Sequence, residues 1–236
     1  MQTADLPRQD PPAEHELKLA FPAIRAEPLL EWLRARCPQD PLYPDGLVTS
    51  IYFDNRSMTL LRAKINSDFI KRKVRLRWYT DPATGVAQDP AFVEIKDKIG
   101  ARRFKIRVPV DVAAAEVAGN ASTSALRDLL EPMRQAGHWV AADLQPFLRI
   151  AFRRRRFTDP TSGARISIDS GIRGTTANPA LLATSRPGLL AHAVIEVKGA
   201  SRELSRWLAP LLHFGCRRES FSKYERCFQK LTGSGW

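Results

Sequence analysis

The chain has 236 residues, 44% of them apolar and 26% charged, which excludes a disordered tail, a collagen-like fibre and a disulfide-stapled miniprotein. No apolar run approaches the roughly 18 residues of a membrane helix, and the opening MQTADLPRQDPP lacks the apolar stretch of a secretory signal, so a cytoplasmic protein with no membrane segment of its own is expected. Lys and Arg number 37 against 25 Asp and Glu, a formal charge of +12; Arg dominates, and its planar fork suits phosphate, pointing to a polyanion such as nucleic acid, polyphosphate, a nucleotide or an anionic membrane surface.

Along the chain, alternation with period two predicts eight strands. Segment 16–21 sets Glu16, Lys18 and Ala20 against Leu17, Leu19 and Phe21. A helix follows over 27–36, with Pro28 in its first turn. Strand 48–54 opposes Ser50, Tyr52 and Asp54 to Thr49, Ile51 and Phe53; strand 71–79 opposes Lys71, Lys73, Arg75 and Arg77 to Val74, Leu76 and Trp78. In 92–97, Phe92, Glu94 and Lys96 share a face; in 103–108, Arg103, Lys105 and Arg107 do. Residues 122–136 read as a helix capped by Ser and Thr. Strand 147–157 splits the run Arg153–Arg156 between its two faces, and strand 164–169 puts Arg165, Ser167 and Asp169 on one. Residues 171–191 read as a long connection, 194–198 as a strand carrying Val194, Glu196 and Lys198, and 203–213 and 222–231 as helices broken by Gly215. DPATG at 81–85, IG at 99–100 and DPTSG at 159–163 supply turns.

Alternation of this kind has two solutions. One is an antiparallel sheet with its apolar face on a core and its charged face in water. The other is a barrel of eight strands whose charged faces line the interior. Periodicity alone does not choose between them.

The phrases SIYFDN (50–55), KVRLRWY (73–79), FVEIK (92–96), RISID (165–169), AVIEVKG (193–199) and FSKYE (221–225) resemble, in this order, the catalytic domain of the vacuolar transporter chaperone (VTC) polyphosphate polymerases. Glu14-His15-Glu16-Leu17-Lys18 is similar to the ExExK signature of the wider superfamily, the triphosphate tunnel metalloenzymes or CYTH proteins. The resemblance implies an α+β fold, a closed eight-stranded antiparallel β-barrel forming a triphosphate tunnel, with helices packed outside. It implies a single tunnel domain over 14–231, flanked by a disordered segment 1–13 and a tail 232–236.

Residue by residue, the resemblance implies phosphate binding by Lys18, Arg75, Arg77, Lys96, Lys105, Arg154, Arg165, Ser222 and Lys223. Of these, Lys18, Arg75, Arg77, Lys96, Arg154 and Arg165 would be catalytic, and Glu196 with Glu14 or Glu16 would hold Mn2+ or Mg2+. One departure stands at Phe152, where the family often has tyrosine. The implied partners are ATP, polyphosphate or inorganic triphosphate, with no nucleic acid, and a separate membrane partner is compatible. The reaction implied is polyphosphate synthesis from the ATP γ-phosphate. The alternatives are a tunnel hydrolase of tripolyphosphate or organic triphosphates, and a non-catalytic polyphosphate-binding module. The four His and the cysteines Cys37, Cys216 and Cys227 are scattered, without zinc-ligand spacing, and no GxxxxGK[ST] phosphate loop occurs.

Overall fold

Every segment with alternating character forms a strand of one antiparallel sheet in the computed structural model, which describes residues 15–119, 122–183 and 188–233. The strands are β1 (His15–Pro22), β2 (Asp45–Asp54), β3 (Ile70–Thr80), β4 (Ala87–Ile99), β5 (Arg102–Pro109), β6 (Gln145–Thr158), β7 (Arg165–Thr176), β8 (Gly188–Leu189), β9 (His192–Gly199) and β10 (Arg217–Arg218). The expectation of a disordered segment 1–13 falls outside the described residues, as do positions 234–236 of the expected tail.

The strand order is β10-β1-β9-β7-β6-β2-β3-β4-β5, with β8 paired to β7. Two expectations are corrected here. Among the described residues the sheet has ten strands, the additional two being the short β8 and β10, and β8 lies in the stretch read as a connection. It is also rolled but not closed: no ladder joins β5 to β1. The reason lies on the outer edge of β1, which is already taken. Leu19 and Ala20 pair with Arg218 and Arg217 of β10, and the amide of Glu219 donates to the Lys18 carbonyl (3.1 Å). Side chains bridge the seam instead, Arg103 of β5 standing 3.3 Å from Glu16 of β1.

Helices cover the apolar outer face at two places. Helix α1 (Ala26–Arg34) buries Leu29, Leu30 and Leu33 with Leu17, Leu19 and Phe21 of β1, Ile166 and Ile168 of β7, and Ile195 and Val197 of β9. After α2 (Thr59–Ile65), the short helices α3 (Ala114–Ala118), α4 (Thr123–Asp128) and α5 (Glu131–Gln135) bring Val117, Leu126 and Met133 onto β2, β3 and β4. The single helix expected over 122–136 is thus two, with Pro132 at the start of the second. The expected 203–213 helix is a 3₁₀ run, Arg206–Phe214, containing Pro210.

The last helix, α6 (Lys223–Thr232), corrects a further expectation, that the helices lie outside. Its Tyr224 ring stacks on Tyr52 at 4.6 Å, and the Tyr224 hydroxyl donates to Asp54 (2.7 Å). Tyr52 and Asp54 share their face with Ser50, which accepts from Arg77 Nε (3.0 Å), so α6 packs on the face that carries the charges. At this end the face turns apolar: Ala20, Val48, Leu148, Ile150 and Val194 receive Tyr224, Cys227 and Phe228. Close approach requires Gly174 of β7, where a Cβ would stand 2.8 Å from the Cys227 Cβ. Burying this apolar end under α6 leaves the rest of the concave face to charge.

Candidate functional site

The concave face encloses a cavity of about 620 Å³. Fourteen Lys and Arg side chains line it against Glu16, Glu196 and Glu219. Even with the buried Glu94 and Asp169 behind the wall, a large positive excess is left, so the cavity suits a polyanion.

Cross-strand register builds the wall. Arg75 of β3 lies opposite Glu94 of β4, and Glu94 opposite Arg107 of β5. Glu94 is fully buried and has Arg75 at 2.5 Å, Lys105 at 2.8 Å, Arg107 at 3.6 Å and Arg77 at 3.8 Å. Burial alone would raise its pKa, but Arg75, Arg77 and Lys105 outweigh burial and hold the carboxyl well below the usual range. Across the cavity, Arg154 of β6 lies opposite Asp169 of β7 and holds it through two bonds of 2.5 and 2.6 Å. Arg154 also reaches Glu196 (3.0 Å), and Lys223 bridges Asp169 (2.5 Å) and Glu196 (3.2 Å). Lys18, opposite Glu196 in the β1–β9 ladder, stands 3.4 Å from it. Burial penalises the Glu196 carboxylate, yet Lys223, Lys18 and Arg154 pull its pKa well below the ordinary value. Glu16, on the same face, meets Lys198 at 3.5 Å and Lys96 at 3.9 Å besides Arg103.

Of the residues singled out in the sequence, Lys18, Arg75, Arg77, Lys96, Lys105, Arg154, Ser222, Lys223, Glu16 and Glu196 line this one cavity. Arg165 does not: it is exposed and lines an adjoining pocket of about 440 Å³, which shares Tyr79, Arg154 and Lys198 with the first. Glu14 lies outside the described residues. Phe152 presents its ring to two cations, Lys223 at 4.8 Å and Arg154 at 5.4 Å from the centroid, so a π-face stands where a tyrosine would bring a hydroxyl. Tyr52 supplies a hydroxyl nearby, accepting from Arg75 (3.0 Å).

Residues that the sequence reading passed over belong here too. Lys73 donates to Ser222 Oγ (3.1 Å), and no carboxylate pairs with it among the described residues. Burial, with Lys18, Arg75 and Lys96 as like-charged neighbours, brings its pKa down to about 8 despite Tyr52. Lys96 is lowered to about 8 by burial and by Lys18, Lys198 and Arg75, against Glu16. Glu94, Asp169, Tyr52 and Lys73 all share the face of a chosen residue, and that parity was the available signal.

Among the described residues no three His, Cys, Asp or Glu side chains gather to hold a metal unaided. Mg2+ sites on phosphate substrates need fewer, one or two carboxylates with phosphate oxygens completing the shell. Glu16 and Glu196, diagonal neighbours on adjacent strands, are hard oxygen donors that fit this description.

The VTC domain family model matches residues 13–232. No curated protein matches the chain. Among solved structures, the PH1819 protein from Pyrococcus horikoshii OT3 is 14% identical with a TM-score of 0.52, over 92% of this chain and 99% of that one. A Bacillus halodurans protein provisionally named an adenylate cyclase is 13% identical with a TM-score of 0.51, over 89% of this chain and 93% of that one. Such identities carry the fold alone, and that fold is the antiparallel α+β kind the resemblance implied. With the family match running through every strand of the sheet and through α6, the chain belongs to the VTC domain family.

Proposed function

We propose that this chain is a metal-dependent phosphotransferase that holds a triphosphate in the basic cavity and extends polyphosphate from the ATP γ-phosphate. The observation that carries this reading is the concave wall itself, with Lys18, Arg75, Arg77, Lys96, Lys105, Arg154 and Lys223 on one cavity. Phosphoryl transfer asks little covalent chemistry of a protein and much positioning and charge neutralisation. The guanidiniums of Arg75 and Arg154, fixed by Glu94 and Asp169, are preorganised to receive phosphoryl oxygens without reorganising. Lys73 and Ser222 add donors at the start of α6.

Glu196 and Glu16 would hold Mn2+ or Mg2+, which when bound supplies positive charge to the phosphate oxygens. In the transfer, an oxygen of the chain's terminal phosphate attacks the γ-phosphorus, the bond from that phosphorus to the β–γ bridging oxygen breaks, and ADP leaves with the electron pair. A phosphate terminus is already anionic and needs no base. That favours synthesis over hydrolysis, because Glu16, Glu94, Asp169 and Glu196 are all held below their ordinary pKa by the surrounding cations and are weak bases. Incubation with ATP and Mn2+, with products resolved by size, tests the reading. Long chains with ADP support it; ADP with inorganic phosphate and no chains would make the chain a hydrolase, and no consumption at all a binding module.

A further inference from the structure

The end of the β3–β4–β5 hairpins exposes Phe69 (71%), Ile70 (62%), Phe104 (49%) and Ile99 (40%). These side chains are neighbours. Ile70 lies opposite Ile99, Phe104 lies opposite Asp97 and so diagonal to Ile99, and the Phe69 ring covers Gly100, where a Cβ would come within 2.9 Å of it. A row of like charge crosses the same strands: Lys71 lies opposite Lys98, and Lys98 opposite Arg103. Partial burial and the charges of Lys71, Arg103 and Lys64 lower the Lys98 pKa. Like charges directly opposite across strands are destabilising, and an aromatic tip in water gains nothing. Arg103 finds a counter-charge in Glu16, but Lys71 and Lys98 pair with no carboxylate among the described residues, and neither they nor the apolar tip serves the folding of the isolated chain.

We propose that this tip docks on an anionic lipid surface. Headgroup phosphates would neutralise Lys71 and Lys98, while the boundary with the acyl chains would take Phe69, Ile70, Ile99 and Phe104. Charge selects this occupant over a second copy of the chain. β5 is an unpaired edge, but two such edges would bring the same rows of cations together on molecules of formal charge +12. Free phosphate would answer the cations and leave the apolar tip wet. Lys71, Lys98 and Arg103 also line the basic cavity, so docking sets the cavity mouth at the lipid surface. No described helix is long and apolar enough to cross a membrane, and docking at the surface asks for none.

Flotation with vesicles of phosphatidylcholine alone, or mixed with phosphatidylglycerol, tests the proposal. The full chain should float with the mixed vesicles only, and less so at raised salt. Phe69→Ser/Ile70→Ser/Phe104→Ser should lower the bound fraction about tenfold or more, as expected for lost apolar insertion. Its melting temperature and tripolyphosphate affinity should stay at the wild-type level, since none of the three lines the cavity. Should losing Phe69 loosen the turn, Ile70→Ser/Phe104→Ser keeps that ring on Gly100 and should still weaken flotation. Equal flotation with both vesicles, or flotation that survives both variants, would overturn the proposal, the latter reducing it to adsorption of a basic protein. A dimer in solution with no vesicle binding would give the tip to a second copy, with the same consequence.

Discussion

Glu94 is a single buried carboxylate holding four cations together, so Glu94→Gln removes their shared counter-charge with almost no change in shape. Removing one partner of a buried ion pair costs about 3–5 kcal/mol, because the other charge stays buried. The side chains of Arg75 and Arg77 are 15% and 9% exposed and cannot turn away, whereas those of Lys105 and Arg107, at 47% and 34%, can reach water. The lower part of the range therefore applies, about 3 kcal/mol, or roughly 6–12 °C in melting temperature for a chain of this size. Tripolyphosphate should reverse most of the loss, since ligand at one hundred times its dissociation constant contributes about 2.7 kcal/mol. The pH dependence has a fixed sign. A carboxyl held below its usual 4.5 stabilises the fold above that value and loses the contribution as pH falls through its folded value, so wild type and variant should converge only in strong acid. Differential scanning calorimetry with and without tripolyphosphate measures all of this. If Glu94→Gln melts within about 2 °C of wild type at neutral pH, the four cations are screened by water and the wall is not the preorganised clamp described.

Other outcomes follow from the same geometry. Glu196→Gln should abolish ATP turnover and leave metal-free tripolyphosphate binding intact or slightly tighter, because a carboxylate facing the anion is lost; turnover at the wild-type rate would reduce Glu196 to charge balance. Lys73 and Lys96, both brought down to about 8, should make anion affinity fall as pH rises through 8, which calorimetric titration at stepped pH will show. Their contribution to ligand-free stability runs the other way, rising with pH between about 8 and their unfolded value of 10.5, since over that window the unfolded chain binds more protons. Gly174→Ala should cost about 1–3 kcal/mol by pushing α6 from β7, whereas Gly46→Ala, with nothing within 4 Å, should be close to neutral in thermal melts.

Period-two alternation made the strands legible, and with them the shared face of Lys18, Arg75, Lys96 and Arg154. It also divided the Arg153–Arg156 run: Arg154 faces the cavity, while Arg155 pairs with Glu27 of α1 on the outer side. Pairing was not legible, because Glu94 and Asp169 become central only through their registers with Arg75 and Arg154, which are facts of distant strands. Closure failed as an expectation for a similar reason. Two residues, Arg217 and Arg218, occupy the edge of β1, and nothing in so short a segment announces a strand. The position of α6 followed from an apolar end to the charged face, visible only once Val48, Ile150 and Val194 are brought side by side. Helix α2 escaped because it is brief and enters through Met58 in a left-handed conformation (φ 54°), its first amides being capped by Asn55 and Asp54, which stand three and four residues ahead of Met58 and outside the usual capping position.

Calorimetric titration of tripolyphosphate at low salt into wild type and Arg75→Ala tests most directly that the concave cavity is the seat of polyanion binding. Wild type should bind, with affinity that falls as salt rises, and Arg75→Ala should lose about 1.5–3 kcal/mol of binding free energy, the usual worth of a hydrogen bond to a charged group. Absence of binding by wild type, or an affinity that Arg75→Ala leaves unchanged, would contradict the account.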